Sequence, residues 1–426
     1  QNPLEYANIN ALELHTAEIY DNVDFNANSA NLTLPALGSA NSLAASAVII
    51  NTIVPVVTNV TAVPAVGTYK AGDVVTVLVQ FSEAVNVNNG TGNPRIRLNI
   101  KNANGAYIPR YAQYNGTGNG TNTLQFVYAV QNGDNSTRLD YYHTINPSLY
   151  AFDLNGSTIR SVATLLNAST QLQAIGAPNS LGVNANIIID TKSPLVTNVT
   201  SANTGLLETG DVVTIDVTFD EVVFISPNLI NRARLLLETG TIDRYANYNG
   251  IGNGTNTLQF NYTVEATDYT EHLDYFDQWS LETVNGTIKD LAGNNANLDL
   301  PEPGALGSLG ANTNIFIVGS KPYITNVTAT NSNGAYTIGD DIEVTVEFNN
   351  AVDVTGTPQL QLQTNNGNKY ALYTGGTGGT LLTFKYTIVA GDFTTDLDYT
   401  ATNALTGVIY AAGTTDNAIL TLPAPG

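Results

Sequence analysis

The side chains best equipped for chemistry are few and scattered. Three histidines occur, His15, His143 and His272, with no His-x-x-x-His spacing for a metal and no nucleophile elbow beside them. The adjacent carboxylates Asp220-Glu221 are of the type used in acid–base work. Neighbours in a strand point to opposite faces, so the two would not share a site. Oxygen ligands for a hard cation are better represented. Asp73, Glu83, Asp190, Asp211 and Glu221 stand near the ends of strand-like stretches, and calcium takes about six to eight such oxygens. They are the candidate ligands for Ca2+ at domain junctions. A Gly-Asp pair also makes the β-turn that precedes a strand, which is the plainer reading of Asp73 and Asp211. Asn59, Asn115, Asn119, Asn198, Asn253, Asn285 and Asn326 each open an Asn-x-Ser/Thr sequon. Many sit in turn-like stretches, so they are candidate acceptors of N-linked glycans. No catalytic constellation emerges, and the chain reads as a non-enzyme.

The elements that would position these residues come in sets. Asn-Val-Thr recurs at Asn59, Asn198 and Asn326, each time after a proline (Pro55, Pro194, Pro322) and before Gly-Asp (Gly72-Asp73, Gly210-Asp211, Gly339-Asp340). Strands ending at Phe81, Phe219 and Phe348 follow, then a tyrosine-rich stretch (110–116, 244–250, 370–375), then Leu-Asp-Tyr at 139–141, 273–275 and 397–399. A repeat of this length is a whole domain rather than a solenoid unit of roughly 20–50 residues. The boundaries are 1–54 for a partial repeat, then 55–193, 194–321 and 322–426 for three repeats. Val74 to Phe81, Val212 to Phe219 and Ile342 to Phe348 are β-branched and alternating, and Gly/Asn-rich turns such as 115–121 separate the strand signals. This predicts all-β, antiparallel sandwich domains, with short proline-terminated linkers giving an end-to-end rod. Residues 161–173 are the one stretch with room for a helical turn or two.

Charge narrows the partners. Lys+Arg number 15 against 36 Asp+Glu, a net charge of −21, which opposes nucleic acid and anionic membranes. No window has the roughly 18 apolar residues of a membrane helix. Cysteine is absent, so thiol chemistry and disulfides are excluded. The lysines Lys70, Lys101, Lys289, Lys369 and Lys385 share no repeat position, which opposes an internal Lys–Asn cross-link. Methionine is absent too, and Gln1 opens the chain; the expectation is a processed, extracellular product.

The two ends are complementary. Repeat two closes with Leu300-Pro301 and the run Ser308 to Ile317, which reads as its last strand. Repeat three reaches Leu420, Leu422 and Pro423 without such a run. Residues 1–54 look like the tail of a repeat, with Leu4-Glu5-Tyr6 in the place of Leu-Asp-Tyr and Leu43, Ala45, Ala47, Val48, Ile49 and Ile50 in the place of the last strand. An uncompleted sheet recruits a strand. The expectation is therefore self-association, with residues 43–50 of one copy completing the end marked by Leu420, Leu422 and Pro423 of another. Such a head-to-tail contact generates an open filament.

The motifs Phe81-Ser82-Glu83-Ala84-Val85, Ile189 to Pro194, Ile288 to Asn294, Leu300 to Ala305 and Ser308 to Asn312 resemble the tandem Ig-like, cadherin-like repeats of giant microbial surface and adhesin-like proteins. The resemblance covers nearly the whole chain. It implies Ig-like sandwiches, a secreted cell-surface location and a structural or adhesive role, without an activity. Asp290 to Asn294 is the single intact copy of its loop, and Val318 stands where the first linker has Asp190. Two expectations follow: a subunit of an extracellular filament joined by donor-strand complementation, or a segment of a repeat adhesin that binds glycans or another surface ligand through its loops.

Overall fold

In the computed structural model, residues 3–20, 29–46, 48 and 50–426 are described. The fold is all-β, and two compact units divide it, residues 1–192 and 193–426. Among the described residues the only α-helices are three single turns, Pro147–Tyr150, Leu181–Asn184 and Leu309–Asn312.

In the first unit a mainly antiparallel sheet runs in the order Val57–Val63, Val74–Asn88, Thr121–Ala129, Arg110–Tyr114, Arg95–Leu98, Phe152–Asp153. Alternation builds it: Val75, Val77, Val79 and Phe81 point inward and are buried, while the residues between them face out. Past Gln80 the register shifts, and the same strand leaves Thr121–Ala129 to pair with Thr158–Ser161. The shift falls at Ser82-Glu83-Ala84, where extra residues bend the strand as a bulge does. A second sheet holds Val66–Tyr69, Asn186–Asp190 and Asn135–Ser136, with Asn186–Asp190 parallel to the first and antiparallel to the last.

The second unit repeats the plan twice. Around Val212–Ser226 the order is Val196–Ser201, Val212–Ser226, Thr255–Thr263, Arg244–Tyr248, Ala233–Glu238, Asp274–Tyr275, and Gly205–Glu208 pairs in parallel with Ile315–Gly319. The third repeat carries Ile324–Ala329, Asp341–Thr364, Gly367–Gly375, Gly379–Thr387 and Leu405–Ala411 in one sheet. Among the described residues it has no counterpart of the parallel pair. Each repeat has its own cluster of buried apolar residues.

The Asn-Gly-rich turns are where the sequence placed them. Gly118 and Gly252 adopt φ of +89° and +95°, and a Cβ on either would lie 1.9 Å from the carbonyl oxygen of Thr123 or Thr257. Glycine alone fits this turn. Each repeat also ties a corner with a Tyr–Asp–cation set. Tyr128 Oη donates to Asp134 at 2.6 Å, Arg110 Nε donates to the same carboxylate at 2.7 Å, and the Gln131 N–H adds a third bond. Tyr262, Asp268 and Arg244 repeat the set, as do Tyr386, Asp392 and Lys369.

Two expectations about local structure are corrected. Residues 161–173 form no helix; Ser161 ends a strand and its hydroxyl accepts the N–H groups of Ala163 and Thr164, holding a turn. The run Ser308 to Ile317 is not one strand. Ser308 caps the turn Leu309–Asn312 by accepting the Ala311 N–H, and the strand begins only at Ile315.

Candidate strand-acceptor site

The last strand of each complete repeat has two edges to satisfy. In the first repeat Asn186–Asp190 sets Ile187 opposite Gly67 in a parallel ladder, and Leu139 N–H donates to the Ile187 carbonyl at 2.8 Å. Ile187 and Ile189 are fully buried. In the second repeat Ile315 lies opposite Gly205, Leu273 N–H donates to the Ile315 carbonyl at 2.9 Å, and Thr270 exchanges both backbone bonds with Ile317. Ile315 and Ile317 are fully buried as well. The α-turn before each strand docks through one asparagine. Asn184 Nδ2 donates to Asn59 Oδ1 at 2.7 Å and to the Val60 carbonyl at 2.8 Å. Asn312 does the same to Asn198 and Val199. Beside each turn a glycine, Gly182 or Gly310, leaves room for the aspartate of Leu-Asp-Tyr, whose Oδ2 lies 2.5 Å from where a Cβ would stand.

In the third repeat the corresponding place is a cavity of about 660 Å³. Segment 331–336 forms one wall, 393–399 the other, and Ile342, Val344, Leu360, Leu362 and Tyr386 the floor. Gly334 precedes Gly339-Asp340 by the same interval that separates Gly205 from Gly210-Asp211, so 334–337 is the counterpart of Gly205–Glu208. It is not in a strand. Leu397 is the counterpart of Leu139 and Leu273, yet it is half-buried where they are fully buried, and its N–H has no acceptor among the described residues. Val327 is half-buried where Val60 and Val199 are fully buried. Asn326 is exposed, while Asn59 and Asn198 are covered by their docking turns. Phe393 is 62 % exposed on the rim. Missing cover, unpaired backbone and an unoccupied asparagine thus coincide along one slot.

The N-terminal segment carries the matching part. Tyr6 Oη donates to the Pro35 carbonyl, as Tyr275 does to Pro301 and Tyr399 to Pro423. Glu5 accepts the Gly38 N–H as Asp274 accepts that of Gly304 and Asp398 that of Gly426. These residues therefore fold like a repeat's tail. Leu43–Ser46 is a 3-10 turn at the position of the docking turns. With one residue fewer than the first repeat between turn and strand (nothing stands for Ala185), Ala47-Val-Ile-Ile-Asn-Thr52 then reads against Asn186-Ile-Ile-Ile-Asp-Thr191, which gives Val48 and Ile50 the places of Ile187 and Ile189. The Val48 carbonyl accepts the Leu4 N–H as the Ile187 carbonyl accepts that of Leu139. Val48 and Ile50 are exposed, at 43 % and 63 %. Leu43 is exposed and Ala45 lies in the 3-10 turn; Ala47 and Ile49 lie outside the described residues.

The other sequence candidates are dispersed. Leu422 is buried in the third core, Leu420 packs against it, and the Pro423 carbonyl accepts the Tyr399 hydroxyl. None of the three lines the slot; they are the already packed tail that precedes it. Asn115 and Asn119 lie in one exposed turn, where their side-chain oxygens accept the N–H groups of Thr117 and Val87. Asn253 accepts the Ile225 N–H, and Asn285 is an exposed turn residue with φ of 52°. The side chains of Asp73 and Asp211 accept the N–H of Lys70 and Glu208, and their own N–H groups donate back to the Lys70 and Glu208 carbonyls, closing a β-turn. Glu83 lies in the bulge, and Asp190 accepts the Lys192 N–H at the end of its strand. Within the second unit, Glu221 brings a carboxylate oxygen within 4.8 Å of one from Asp290. Asp290 is buried and holds the Asn294 N–H and side-chain amide. His143 Nδ1 accepts the Ile145 N–H, and the His272 N–H reaches Thr270 Oγ1.

What the sequence reading missed is the slot wall, 334–337 and 393–397. Its signal was the shared interval from glycine to Gly-Asp. No family model and no curated protein matches the chain.

Proposed function

We propose that the chain is a non-enzymatic structural subunit, built of tandem Ig-like β-sandwich domains, of an extracellular filament at the cell surface. One copy's strand 47–52 enters the open slot of another copy's third repeat. The slot itself carries this reading. By analogy with the first repeat, Val48 would lie opposite Gly334, Ile49 opposite Ala335 and Ile50 opposite Tyr336, with the Leu397 N–H replacing the equivalent Leu4 N–H that the Val48 carbonyl accepts within its own segment. The pair Ile50–Tyr336 would repeat Ile189–Tyr69. Covering Val48 and Ile50, 43 % and 63 % exposed, contributes roughly 1.5–3 kcal/mol together, about half of the full-burial value for each side chain. The joint is heterologous, so it propagates rather than closing. Support for a stiff subunit comes from the second unit, where Tyr323 Oη donates to Glu208 Oε1 at 2.6 Å across the repeats.

The test is a cysteine pair in this cysteine-free chain. Residues directly opposite in a ladder have Cα atoms about 4.8 Å apart, within disulfide range. Ile49→Cys and Ala335→Cys should cross-link different copies under oxidation. Filaments in negative stain should vanish when residues 1–52 are deleted. Filaments that persist after that deletion would overturn the reading.

A further inference from the structure

We propose that the first repeat carries a separate binding site for a carboxylated sugar, centred on Arg97. Arg97 lies in strand Arg95–Leu98, whose Ile96 and Leu98 are buried, and so it faces away from the core. It sits opposite Tyr111 in the ladder. The same ladder position holds Leu236 opposite Tyr245 in the second repeat and Gln361 opposite Tyr370 in the third. The fold therefore accepts an apolar or neutral residue here and does not require the charge.

No carboxylate among the described residues pairs with that charge. The neighbouring outward arginine, Arg95, is paired with Asp153 at 2.8 Å and lies 4.3 Å over the Tyr111 ring. Arg97 has no ion pair among the described residues, and its Nε–H is enclosed without an acceptor. A buried donor left unmatched in an otherwise well-bonded protein calls for a partner. Beside it is a cavity of about 420 Å³, lined by Arg97, Tyr111, His143, Tyr150, Asp153 and other residues. The Asp153 charge is already engaged by Arg95. His143 Nδ1 accepts a backbone N–H at 3.1 Å, so the neutral ring keeps its proton on Nε2, where it is a donor. Tyr150, 54 % exposed, has its ring centre 5.1 Å from that of His143. On the other side the Arg97 guanidinium lies 5.2 Å over Tyr142, which stacks on Tyr107 at 4.0 Å, with Lys101 over that ring.

A ligand for this set needs an anionic group for the guanidinium fork, hydroxyls for His143 and an apolar face for an exposed tyrosine. A carboxylate meets an arginine fork with two parallel hydrogen bonds. A pyranose ring supplies the hydroxyls and the C–H face. A uronic acid residue combines all three. In a chain of net charge −21, an acidic ligand has to bind where a cation is not neutralised by a carboxylate, and Arg97 with Lys101, both resting on tyrosine rings, is such a place.

The test is calorimetric titration of the full chain with oligomers of galacturonate, glucuronate, guluronate and mannuronate, against the neutral sugars of the same linkage. The expected result is saturable binding of at least one uronate oligomer and none of its neutral counterpart. Arg97→Leu, which installs the residue natural to the second repeat, should weaken it about ten-fold or more while leaving the thermal melt unchanged. Tyr150→Ala should also weaken it. Equal binding of neutral sugars, unchanged affinity in Arg97→Leu, or no saturable binding of any uronate would overturn the proposal. Filament formation does not depend on this site, so either result leaves the strand joint untouched.

Discussion

Removing the last-strand side chains from the second repeat should make it behave like the third. Ile315 and Ile317 are fully buried, and their strand is clamped by Gly205–Glu208 on one edge and Thr270 and Leu273 on the other. An Ile→Ala change at such a site costs about 2–5 kcal/mol. The two residues lie on the same face and line one space, so their costs are not independent, and roughly 4–8 kcal/mol is expected for the pair. That is comparable to the whole stability of an ordinary domain, about 5–15 kcal/mol. The assay is native-state hydrogen exchange by mass spectrometry on the full chain carrying Ile315→Ala and Ile317→Ala. Amides of Val212–Ser226 and Thr255–Thr263 should lose roughly 10³-fold protection or more, about 1.4 kcal/mol per factor of ten. Those of the first repeat should not change, because it has its own core. The reasoning fails if protection in the second repeat falls by less than ten-fold, since the last strand would then not be what closes that core.

Three further outcomes follow from the same geometry. Tyr262→Phe leaves the buried Asp268 without a donor at 2.5 Å and should cost about 1.5–3 kcal/mol, read as a shifted urea midpoint of the second unit. Gly252→Ala must both hold φ near +95° and displace the Thr257 carbonyl, so it should destabilise the same unit by more than about 1 kcal/mol in the same titration. Burial raises the Asp392 carboxyl, but bonds from Tyr386, Val389, Lys369 and Asn366 outweigh it and hold it at about 2, below its ordinary 3.8. A carboxyl lowered by folding stabilises above its unfolded value, and that contribution is lost as pH falls through about 2. Exchange protection of Gly379–Thr387 should therefore decline between about pH 4 and pH 2, and Asp392→Asn should flatten that dependence.

The sequence made the strands legible because alternation and turn chemistry are local. Val74 to Phe81 and the Asn-Gly turns need no tertiary knowledge to be read. It also made the tail-like character of the N-terminal segment legible, since a run like Ser42 to Ile50 repeats at Ser180 and Ser308. The location of the slot was not legible. Leu420, Leu422 and Pro423 are adjacent in sequence to where a last strand would follow, but sequence adjacency does not give spatial adjacency. In the second repeat that strand crosses to lie between Gly205–Glu208 and residues 270–273, whose counterparts in the third repeat, 334–337 and 394–397, stand about 90 and 30 residues upstream, so the slot's walls belong to other parts of the repeat. The docking turn was hidden for a different reason: Ser308-Leu-Gly-Ala-Asn is too short for helical periodicity, and only its serine cap and the reach of Asn312 to Asn198 give it meaning.

That last contact also changes how the repeated asparagines are read. Asn59, Asn198 and Asn326 are equivalent in sequence, and a sequon reading treats them alike. In the fold Asn59 and Asn198 receive the side chains of Asn184 and Asn312, so their repetition is explained by docking of the final turn. At Asn326 the same residue is exposed, with no turn of the described residues upon it. If strand 47–52 fills the slot, the 3-10 turn Leu43–Ser46 arrives beside Asn326, with Ser46 in place of the docking asparagine. There the shorter serine reaches less far than Asn184 does, and Ala44 falls where the other repeats have Gly182 and Gly310. Its methyl would crowd Asp398 as a Cβ on those glycines would crowd Asp140 and Asp274. In its own segment Ala44 instead donates its N–H to Glu5. The turn is thus held by Glu5, and just after it the Val48 carbonyl accepts the Leu4 N–H of the same segment. The joint we propose should be made by residues 47–52, which exchange the Leu4 N–H for that of Leu397 in another copy, with the turn staying on its own copy. Ala44→Gly should let the turn follow the strand onto Asp398 and tighten the joint, measured as a lower critical concentration for assembly; an unchanged critical concentration would show that the turn takes no part in choosing between the two copies.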